Sequence, residues 1–345
     1  MSLKINNERR FIAEWEPQSA VMIAWPHENT DWAYMLEEVE QCYVNVAKAI
    51  LQKEDLFIVT QKSEHVRNLI GHNHPFTPHY IEIETNDTWC RDFGAITIEN
   101  NGTLELCDFK FNAWGGKFNW DLDNQVTPKM QQLHAFKCDV KDCQDFILEG
   151  GSIETDGKGT LLITSQCLLT PTRNPHMDKE QIESYLCKTL GVKKVLWLDF
   201  GAFAGDDTDS HIDTLARIAP NNSIIYAGCD NPEDGHYEEL NKMEQQLSTF
   251  TTVDNEPFKL YKLPFPNAIY DEDGERLPAT YANYLIGNET VWVPTYNQPT
   301  NDKIALDVIQ QVFPNYEIVG IDCNALIKQH GSLHCITMQF PKNVF

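Results

Sequence analysis

Near the end of the chain, Cys335 lies where a polar turn meets an apolar segment. The turn 329–332 contains Gln, His, Gly and Ser, and the apolar residues 336–340 follow the cysteine and end at Pro341. A thiol at such a turn-to-strand junction can sit at the mouth of a cavity, held by the strand behind it. This position suits a nucleophile, provided that other residues supply a base and bind the substrate.

Three further stretches carry side chains that such a thiol would need. His211 and Asp213 are two residues apart, so in an extended segment their side chains point to the same face and enter one cavity together. Asp92 follows Trp89 in a polar turn, which offers a second carboxylate beside an aromatic wall. Glu149 ends an apolar strand ahead of two glycines, where its carboxylate could orient an imidazole.

The combination of these side chains indicates the type of chemistry. A Cys/His pair alone would suggest a protease or an acyl transferase, but two further carboxylates would repel the oxyanion that forms on an acyl substrate. Carboxylates instead bind a planar guanidinium through paired, charge-assisted hydrogen bonds. A thiolate can then attack the electron-poor guanidinium carbon. The residues therefore indicate a reaction on a small guanidinium cation.

The net charge of the chain is negative, as expected for a protein that binds a cationic substrate. The chain has 27 Lys and Arg residues against 51 Asp and Glu residues, a net charge of -24, although solubility is the simpler reason for the excess of acids. Such a field repels nucleic acid and anionic lipid. No apolar run approaches the roughly 18 residues of a membrane span, and the first ten residues lack the apolar core of a secretory signal. We expect a cytoplasmic protein that binds neither nucleic acid nor membranes.

Metal-binding patterns are absent from the sequence. Ten cysteines are scattered without a C-x-x-C pair, so neither a paired-cysteine zinc site nor a disulfide framework is expected. His330 and His334 with Cys335 do not make a complete zinc set. The acidic residues at 206, 207 and 209 lack the twelve-residue spacing of an EF-hand. We expect no metal and no cofactor.

The elements that must position these residues alternate along the chain. Hydrophobic patterns and capping residues predict strands at 20–25, 56–60, 79–84, 194–199, 223–227, 258–263 and 316–322, and helices at 32–53, 63–70, 177–190, 233–250 and 301–313. Turn residues predict hairpins that pair 93–99 with 103–109, fold about 156–159, and pair 280–286 with 290–294. About five such units, each of roughly 60 to 70 residues, follow one another without a linker. This order predicts one closed α/β domain over residues 1–345.

Six short segments, taken together and in order, are specific to one known family. They are Ala24–Pro26, Thr88–Gly94, Asn112–Gly116, Leu148–Ser152, His211–Asp213 and His334–Thr337. Through them the chain resembles the agmatine deiminases and their relatives in the Porphyromonas-type peptidylarginine deiminase family, part of the guanidine-modifying pentein superfamily. The resemblance implies a five-bladed α/β propeller (the pentein fold) with pseudo-fivefold symmetry and an active site in the central channel. It also implies a homodimer.

The same resemblance implies roles for the catalytic residues. Cys335 would be the nucleophile, forming a covalent amidino-thioether, and His211 would be the general acid and base. Asp92 and Asp213 would hold the guanidinium nitrogens, and Glu149 would orient His211.

Other residues would bind the substrate. Trp89 and Trp114 would line the channel, and Asp207 would meet the far end of the substrate. Agmatine suits such a channel because it carries a guanidinium at one end and an ammonium at the other. We therefore expect hydrolysis of agmatine to N-carbamoylputrescine and ammonia, a step of putrescine and polyamine metabolism.

Other activities remain open at this point. A deiminase of free or peptidyl arginine and an amidinotransferase would use the same residues, and a non-catalytic binding protein would use the same propeller. Two departures from the family bear on the substrate. Residues 329–332 replace a run that is usually glycine-rich, and Asp209 and Ser210 replace the usual Asn-Gly ahead of His211.

Overall fold

A computed structural model describes residues 9–345 of the chain. The first eight residues, on which the expectation about a secretory signal largely depends, lie outside the described residues. In the described part, no helix is both long and apolar enough to cross a membrane.

Strands are distributed along the whole described chain. They are β1 (Arg9–Phe11), β2 (Gln18–Ala24), β3 (Asp55–Val59), β4 (Pro78–Ile81), β5 (Ile96–Asn100), β6 (Thr103–Lys110), β7 (Asp139–Ile147), β8 (Ile153–Thr155), β9 (Thr160–Thr164), β10 (Lys194–Leu198), β11 (Ala216–Ala219), β12 (Ser223–Ala227), β13 (Lys259–Leu263), β14 (Leu285–Gly287), β15 (Thr290–Thr295), β16 (Glu317–Asp322) and β17 (Thr337–Pro341).

Helices connect these strands. They are α1 (Leu36–Ile50), α2 (Ser63–Ile70), α3 (Cys90–Phe93), α4 (Ala113–Gly116), α5 (Val126–Gln132), α6 (Ser165–Leu168), α7 (Lys179–Leu190), α8 (Ile212–Leu215), α9 (Tyr237–Leu247) and α10 (Pro299–Val312). Short 3-10 turns occur at Ala33–Met35, Asp123–Gln125, Gly150–Ser152 and Leu326–Gln329. Four of the helices, α3, α4, α6 and α8, are single turns that lie close to the predicted site residues.

Within residues 9–345 the strands form five sheets. Their strand orders are β1-β5-β6-β7, β10-β9-β8, β11-β12-β13, β14-β15-β16 and β17-β2-β3-β4. Each sheet contains an antiparallel pair whose second strand continues through a helix into a parallel third strand, and the first sheet has β1 as a further antiparallel edge strand. The predicted units of strand, hairpin and helix are therefore present, in a mixed α/β architecture.

Local sequence explains why the connecting helices form. In α7, Asp178 and Gln181 make a reciprocal capping box at the start, and Gly191 ends the helix with φ 74°. Helix α1 buries Val39, Tyr43 and other residues at helical spacing, so one apolar face packs against the sheets. The central strand β2 is buried along almost its full length.

Two predicted hairpin strands are wrong in part, and the predicted strand 79–84 ends already at Ile81. Of the segment 280–286, only Leu285 and Ile286 are in a strand, and residues 280–284 form a buried loop. The segment predicted to begin at Phe93 becomes a strand only at Ile96, because Phe93 still belongs to the turn of α3. In both places the chain leaves the sheet to bring polar residues toward the site.

Candidate active site

Cys335 lies in a turn two residues before β17, as the sequence predicted, and its side chain forms part of a pocket wall. The thiol is close to two oxygens, Asn283 Oδ1 at 3.4 Å and Asp213 Oδ2 at 3.8 Å. The pocket has a volume of about 380 Å³, and its lining includes Trp89, Asp92, Trp114, Asp207 and Cys335. The structure therefore brings five of the predicted site residues into one cavity.

His211 and Asp213 lie at the same site, but not on an extended segment as predicted. His211 has extended backbone angles just ahead of α8, and Asp213 lies in the first turn of that helix. The two side chains nevertheless converge, because the chain turns between them. The Nδ1 atom of His211 is 3.6 Å from Asp92 Oδ1, so the second predicted carboxylate is also within reach.

Gly151 marks the point at which these groups meet. A Cβ atom at this position would lie 2.6 Å from His211 Nδ1, 2.9 Å from Asp92 Oδ1 and 3.1 Å from Asp213 Oδ2. Its backbone N–H donates to Asp92 Oδ1 at 2.9 Å. Glycine is required here for close approach of the backbone rather than for an unusual backbone angle.

The Asp92 carboxylate is held by two donors. The Gly151 amide binds one oxygen, and the indole N–H of Trp114 binds the other at 2.9 Å. Burial raises the pKa of Asp92 to about 6, with further contributions from Asp213 and Glu149, while His211 and the Trp114 hydrogen bond act in the opposite direction. Trp114 is thus both a wall of the pocket and a donor that keeps Asp92 in place.

Neighbouring carboxylates act on both the nucleophile and the imidazole. Burial, together with Asp213 and Asp92, raises the pKa of the Cys335 thiol well above its usual range. Burial disfavours the imidazolium form of His211, but Asp92, Cys167 and Glu149 together outweigh it, and the pKa of His211 is raised. Without a cationic ligand, the site therefore favours a neutral thiol beside a protonated imidazole.

Glu149 is anchored by a residue that sequence reasoning missed. Its Oε1 atom accepts from Arg173 Nε at 3.0 Å, and both side chains are almost fully buried. A carboxylate oxygen of Glu149 lies within 4.8 Å of a His211 nitrogen, but no hydrogen bond joins them. Arg173 also binds Asp209 and the Thr208 carbonyl, so it ties Glu149 to the loop ahead of His211.

A second missed group lies beneath the nucleophile. His334 donates through Nδ1 to Asp213 Oδ2 at 2.7 Å, and its other nitrogen is 2.9 Å from Glu14 Oε2. Arg217 pairs with the same Glu14 oxygen at 2.6 Å. Burial favours the neutral acid, yet the hydrogen bond from His334 and the positive charges of the neighbouring His and Arg side chains together outweigh it and lower the pKa of Asp213. This chain of contacts keeps Asp213 ionised.

Asn283 is the other residue that sequence reasoning did not identify. Its Oδ1 atom accepts from the backbone N–H of His334 at 2.9 Å and of Cys335 at 3.3 Å, in addition to its contact with the thiol. It comes from the loop 280–284, which was predicted as a strand. No local signal distinguishes it, because its partners are about fifty residues away in the chain.

The mouth of the pocket contains the residues that depart from the family pattern. His330 Nδ1 is 2.7 Å from the Gly205 carbonyl oxygen, and Gly331 lies so close to the Trp89 ring that a Cβ atom would overlap it. Asp31, Asp87 and Asp207 line the same pocket. The opening is therefore acidic, with one histidine that bridges two loops.

The chain is similar to known proteins over almost its full length. The agmatine deiminase of Pseudomonas syringae pv. tomato is 32% identical over 352 residues, which cover 95% of this chain and 94% of that protein. A solved C. jejuni agmatine deiminase, a cysteine-to-serine variant with substrate bound, is 38% identical, has a TM-score of 0.92 and covers 100% of both chains. A solved protein from Porphyromonas gingivalis, provisionally named arginine deiminase, is 46% identical, has a TM-score of 0.93 and covers 98% of this chain and 100% of its own.

Family membership follows from the extent of these matches. The sequence model of the Porphyromonas-type peptidyl-arginine deiminases matches residues 10–341. The six segments that carry the resemblance all lie within this range, and the relatives cover nearly the whole chain at more than 30% identity. The chain belongs to the Porphyromonas-type peptidyl-arginine deiminase family.

Proposed function

We propose that this protein hydrolyses agmatine to N-carbamoylputrescine and ammonia. The observation that carries the proposal is the grouping of Cys335, His211 and the carboxylates of Asp92 and Asp213 around the backbone of Gly151. Two carboxylates beside a thiol suit a guanidinium better than an acyl group. Relatives named agmatine deiminase, one with its substrate bound, support the same reaction.

The reaction has two stages. Asp92 and Asp213 hold the guanidinium nitrogens, and the Cys335 thiolate attacks the central carbon to form an S–C bond. His211 gives a proton to the departing nitrogen, which leaves as ammonia, so an amidino-thioether remains on Cys335. His211 then takes a proton from water as the water attacks that carbon, and breakage of the S–C bond releases the ureido product and the thiolate.

Binding of the substrate favours the thiolate form of the nucleophile Cys335. Two neighbouring carboxylates and burial favour the neutral thiol of Cys335. A guanidinium bound between Asp92 and Asp213 supplies the positive charge that stabilises a thiolate. The Cys335 thiol therefore releases its proton to solvent as the substrate binds, and the neutral thiol of the free enzyme is protected from reaction with other electrophiles.

The acidic mouth favours a diamine-like substrate over an amino acid. Asp31, Asp87 and Asp207 line the same pocket as Cys335, and we place the far end of a bound guanidinium compound beside them, where an ammonium would be stabilised. The carboxylate of free arginine would be repelled by the same residues. We therefore place agmatine ahead of arginine, even though one of the more similar structures is provisionally named arginine deiminase.

The proposal extends to the organisation of the molecule. We infer that the five sheets form the blades of a propeller with pseudo-fivefold symmetry, that residues 1–345 make a single domain, and that the protein acts as a homodimer in the cytoplasm. The common pattern of an antiparallel pair and a parallel third strand in each sheet supports the propeller.

An ammonia-release assay with four compounds tests the substrate. Agmatine, free arginine, a blocked arginine peptide and methylated arginine are compared at equal concentration, and agmatine should give the highest kcat/KM. If agmatine ranks last, the proposed substrate is wrong. A parallel assay with added amine detects transfer of the amidino group, which an amidinotransferase would show and a hydrolase would not.

A further inference from the structure

A second cluster of reactive side chains lies next to the imidazole of the proposed active site. We propose that Glu149, Cys167 and His211 form a binding site for Zn²⁺, and that zinc bound there stops deimination. One ligand atom from each of the three residues lies within 4.8 Å of the other two, and all three residues are buried. Cys167 takes no part in the proposed reaction, so the site is distinct from the nucleophile Cys335.

The donor set is one that zinc prefers. A thiolate sulfur, an imidazole nitrogen and a carboxylate oxygen bind Zn²⁺ at about 2.0 to 2.3 Å, with a fourth position open to water. Movements of the order of 1 Å would bring the three atoms to such distances. Each donor lies on a different short element: Glu149 precedes the turn Gly150–Ser152, Cys167 is in α6, and His211 precedes α8. This scattering explains why sequence spacing gave no metal signal.

Unpartnered polar atoms provide independent support for a ligand. Among residues 9–345, the buried atoms without a hydrogen-bond partner include both ring nitrogens of His211 and Glu149 Oε2. Buried polar atoms are rarely left in this state, because each loses its interactions with water. A cation coordinated by these two residues and Cys167 would satisfy atoms on both of them.

A comparison with the other such cluster in the described residues sharpens this argument. Glu14, Glu154 and His334 also bring ligand atoms within 4.8 Å of one another. There, however, the Arg217 guanidinium already pairs with both carboxylates. At the proposed zinc site, Arg173 pairs with the Oε1 atom of Glu149, which leaves the second oxygen of that carboxylate available.

The binding step balances in atoms and charge. The Cys167 thiol releases its proton to the buffer as the S–Zn bond forms, and no oxidant or reductant is involved. The protonated imidazole of His211 likewise releases one proton to the buffer, and the lone pair that this frees on the nitrogen becomes a bond to the metal. That nitrogen then neither takes nor gives a proton, so the departing ammonia loses its acid and the attacking water loses its base. The inhibition of deimination by zinc rests on the proposed function, whereas the binding of zinc to the three side chains does not.

Cobalt spectroscopy tests the binding without relying on activity. Co²⁺ is titrated into the Cys335→Ala protein, which has no nucleophile, and a sulfur-to-cobalt charge-transfer band should appear with one metal per chain. The band should disappear in Cys335→Ala/Cys167→Ser and remain in Cys335→Ala/Cys187→Ser, a control that removes a thiol elsewhere. A band that survives the loss of Cys167, or no band in the parent, would overturn the proposal.

Folding of the variants is checked by thermal unfolding, and Cys167→Ala is used alongside Cys167→Ser in case one of them is unstable. Zinc calorimetry on the same proteins should show affinity reduced by more than about tenfold when Cys167 is changed. Unchanged zinc affinity in both folded Cys167 variants contradicts the assignment.

Activity measurements then test the consequence. Agmatine turnover is measured with and without ZnCl₂ for each variant. The quantity compared between variants is the ratio of the rate with ZnCl₂ to the rate without it. The ratio should fall at least about tenfold in Cys187→Ser and stay close to one in Cys167→Ser. Equal inhibition of both would place zinc on Cys335 instead and refute the proposal. If no guanidinium compound is turned over at all, the proposed function fails while the cobalt result still decides the metal site.

Discussion

The indole nitrogen of Trp114 donates a 2.9 Å hydrogen bond to Asp92 Oδ2 from a backbone with φ 54° and ψ 40°. This left-handed conformation is unusual for a bulky residue and costs of the order of 1 to 3 kcal/mol. The strained conformation places the indole within hydrogen-bond distance of the Asp92 carboxylate. Such strain is typical of functional positions, and it supports a role for Trp114 beyond packing.

Removal of this hydrogen bond should shift the pH dependence of the reaction. Trp114→Phe keeps an aromatic ring and the backbone strain but loses the N–H donor. Burial already raises the pKa of Asp92 to about 6, and the donor stabilises the ionised form, so its loss raises that pKa further. The guanidinium needs the ionised carboxylate. As pH is lowered, kcat/KM of the variant should therefore begin to fall at a higher pH than kcat/KM of the parent, and near pH 6 it should be about tenfold lower than that of the parent.

The matched control is Trp197→Phe, which removes an indole hydrogen bond to Glu183 at a residue that does not line the pocket. Its pH profile should superimpose on that of the parent. A Trp114→Phe profile that also superimposes would mean that Trp114 serves only as a wall.

A methyl group at Gly151 should disable the site without unfolding the protein. The Cβ atom of Gly151→Ala would lie 2.6 to 3.1 Å from His211, Asp92 and Asp213. These side chains must move apart by several tenths of an ångström, and such a misplacement costs about 10²-fold in kcat. Steady-state kinetics measure the loss. Gly235→Ala is the control, because no heavy atom lies within 4 Å of its added Cβ, and near-equal kcat in the two variants would refute the geometry.

Loss of Arg173 should destabilise the fold by leaving a buried charge. Arg173→Met leaves the Glu149 carboxylate without its ion-pair partner. The side chains of Arg173 and Glu149 are both at most 1% exposed. Breaking such a pair costs about 3 to 5 kcal/mol, which urea unfolding can measure. Arg276→Met, whose pair with Asp234 is partly exposed, should cost less.

The double variant Arg173→Met/Glu149→Gln should recover part of the lost stability, because the unpaired charge is gone. No recovery, together with equal costs for the two arginines, would show that Glu149 is not held as an ion.

Ser210 lies in a conformation that suits glycine. Its φ is 66°, its side chain is buried, and its hydroxyl has no hydrogen-bond partner among residues 9–345. Ser210→Gly removes both costs and should raise the free energy of unfolding by about 1 kcal/mol. Ser248→Gly, at a helix end with negative φ, should not stabilise. A lower melting temperature for Ser210→Gly would contradict this account of the loop ahead of His211.

The sequence was sufficient where local rules decide the structure. The turn at Asn101 and Gly102 has positive φ at both residues, as a two-residue hairpin requires. Helix α2 matches its prediction, and Cys335 lies at the predicted junction between a turn and a strand. Residue types alone led to the proposal that the site binds a guanidinium, which stays a prediction, and the family relationship is confirmed by the comparisons.

Long-range contacts account for what was missed. Asn283 reads as part of an apolar strand, but hydrogen bonds to residues 334 and 335 hold it in a loop. Arg173 and Cys167 lie in a segment without a recognised motif, and their partners come from other turns. His211 and Asp213 were predicted as extended because spacing alone cannot distinguish a strand from the start of a short helix. In each case, tertiary packing decides the role.

The most direct test of the proposed chemistry is the covalent intermediate on Cys335. The enzyme is mixed with agmatine, quenched with acid during turnover, digested and analysed by mass spectrometry. The peptide that contains Cys335 should gain the mass of agmatine less ammonia, and the Cys335→Ala protein should show neither the adduct nor ammonia release. Turnover by the Cys335→Ala variant at the parent rate, or an adduct on another cysteine such as Cys167, would contradict the mechanism.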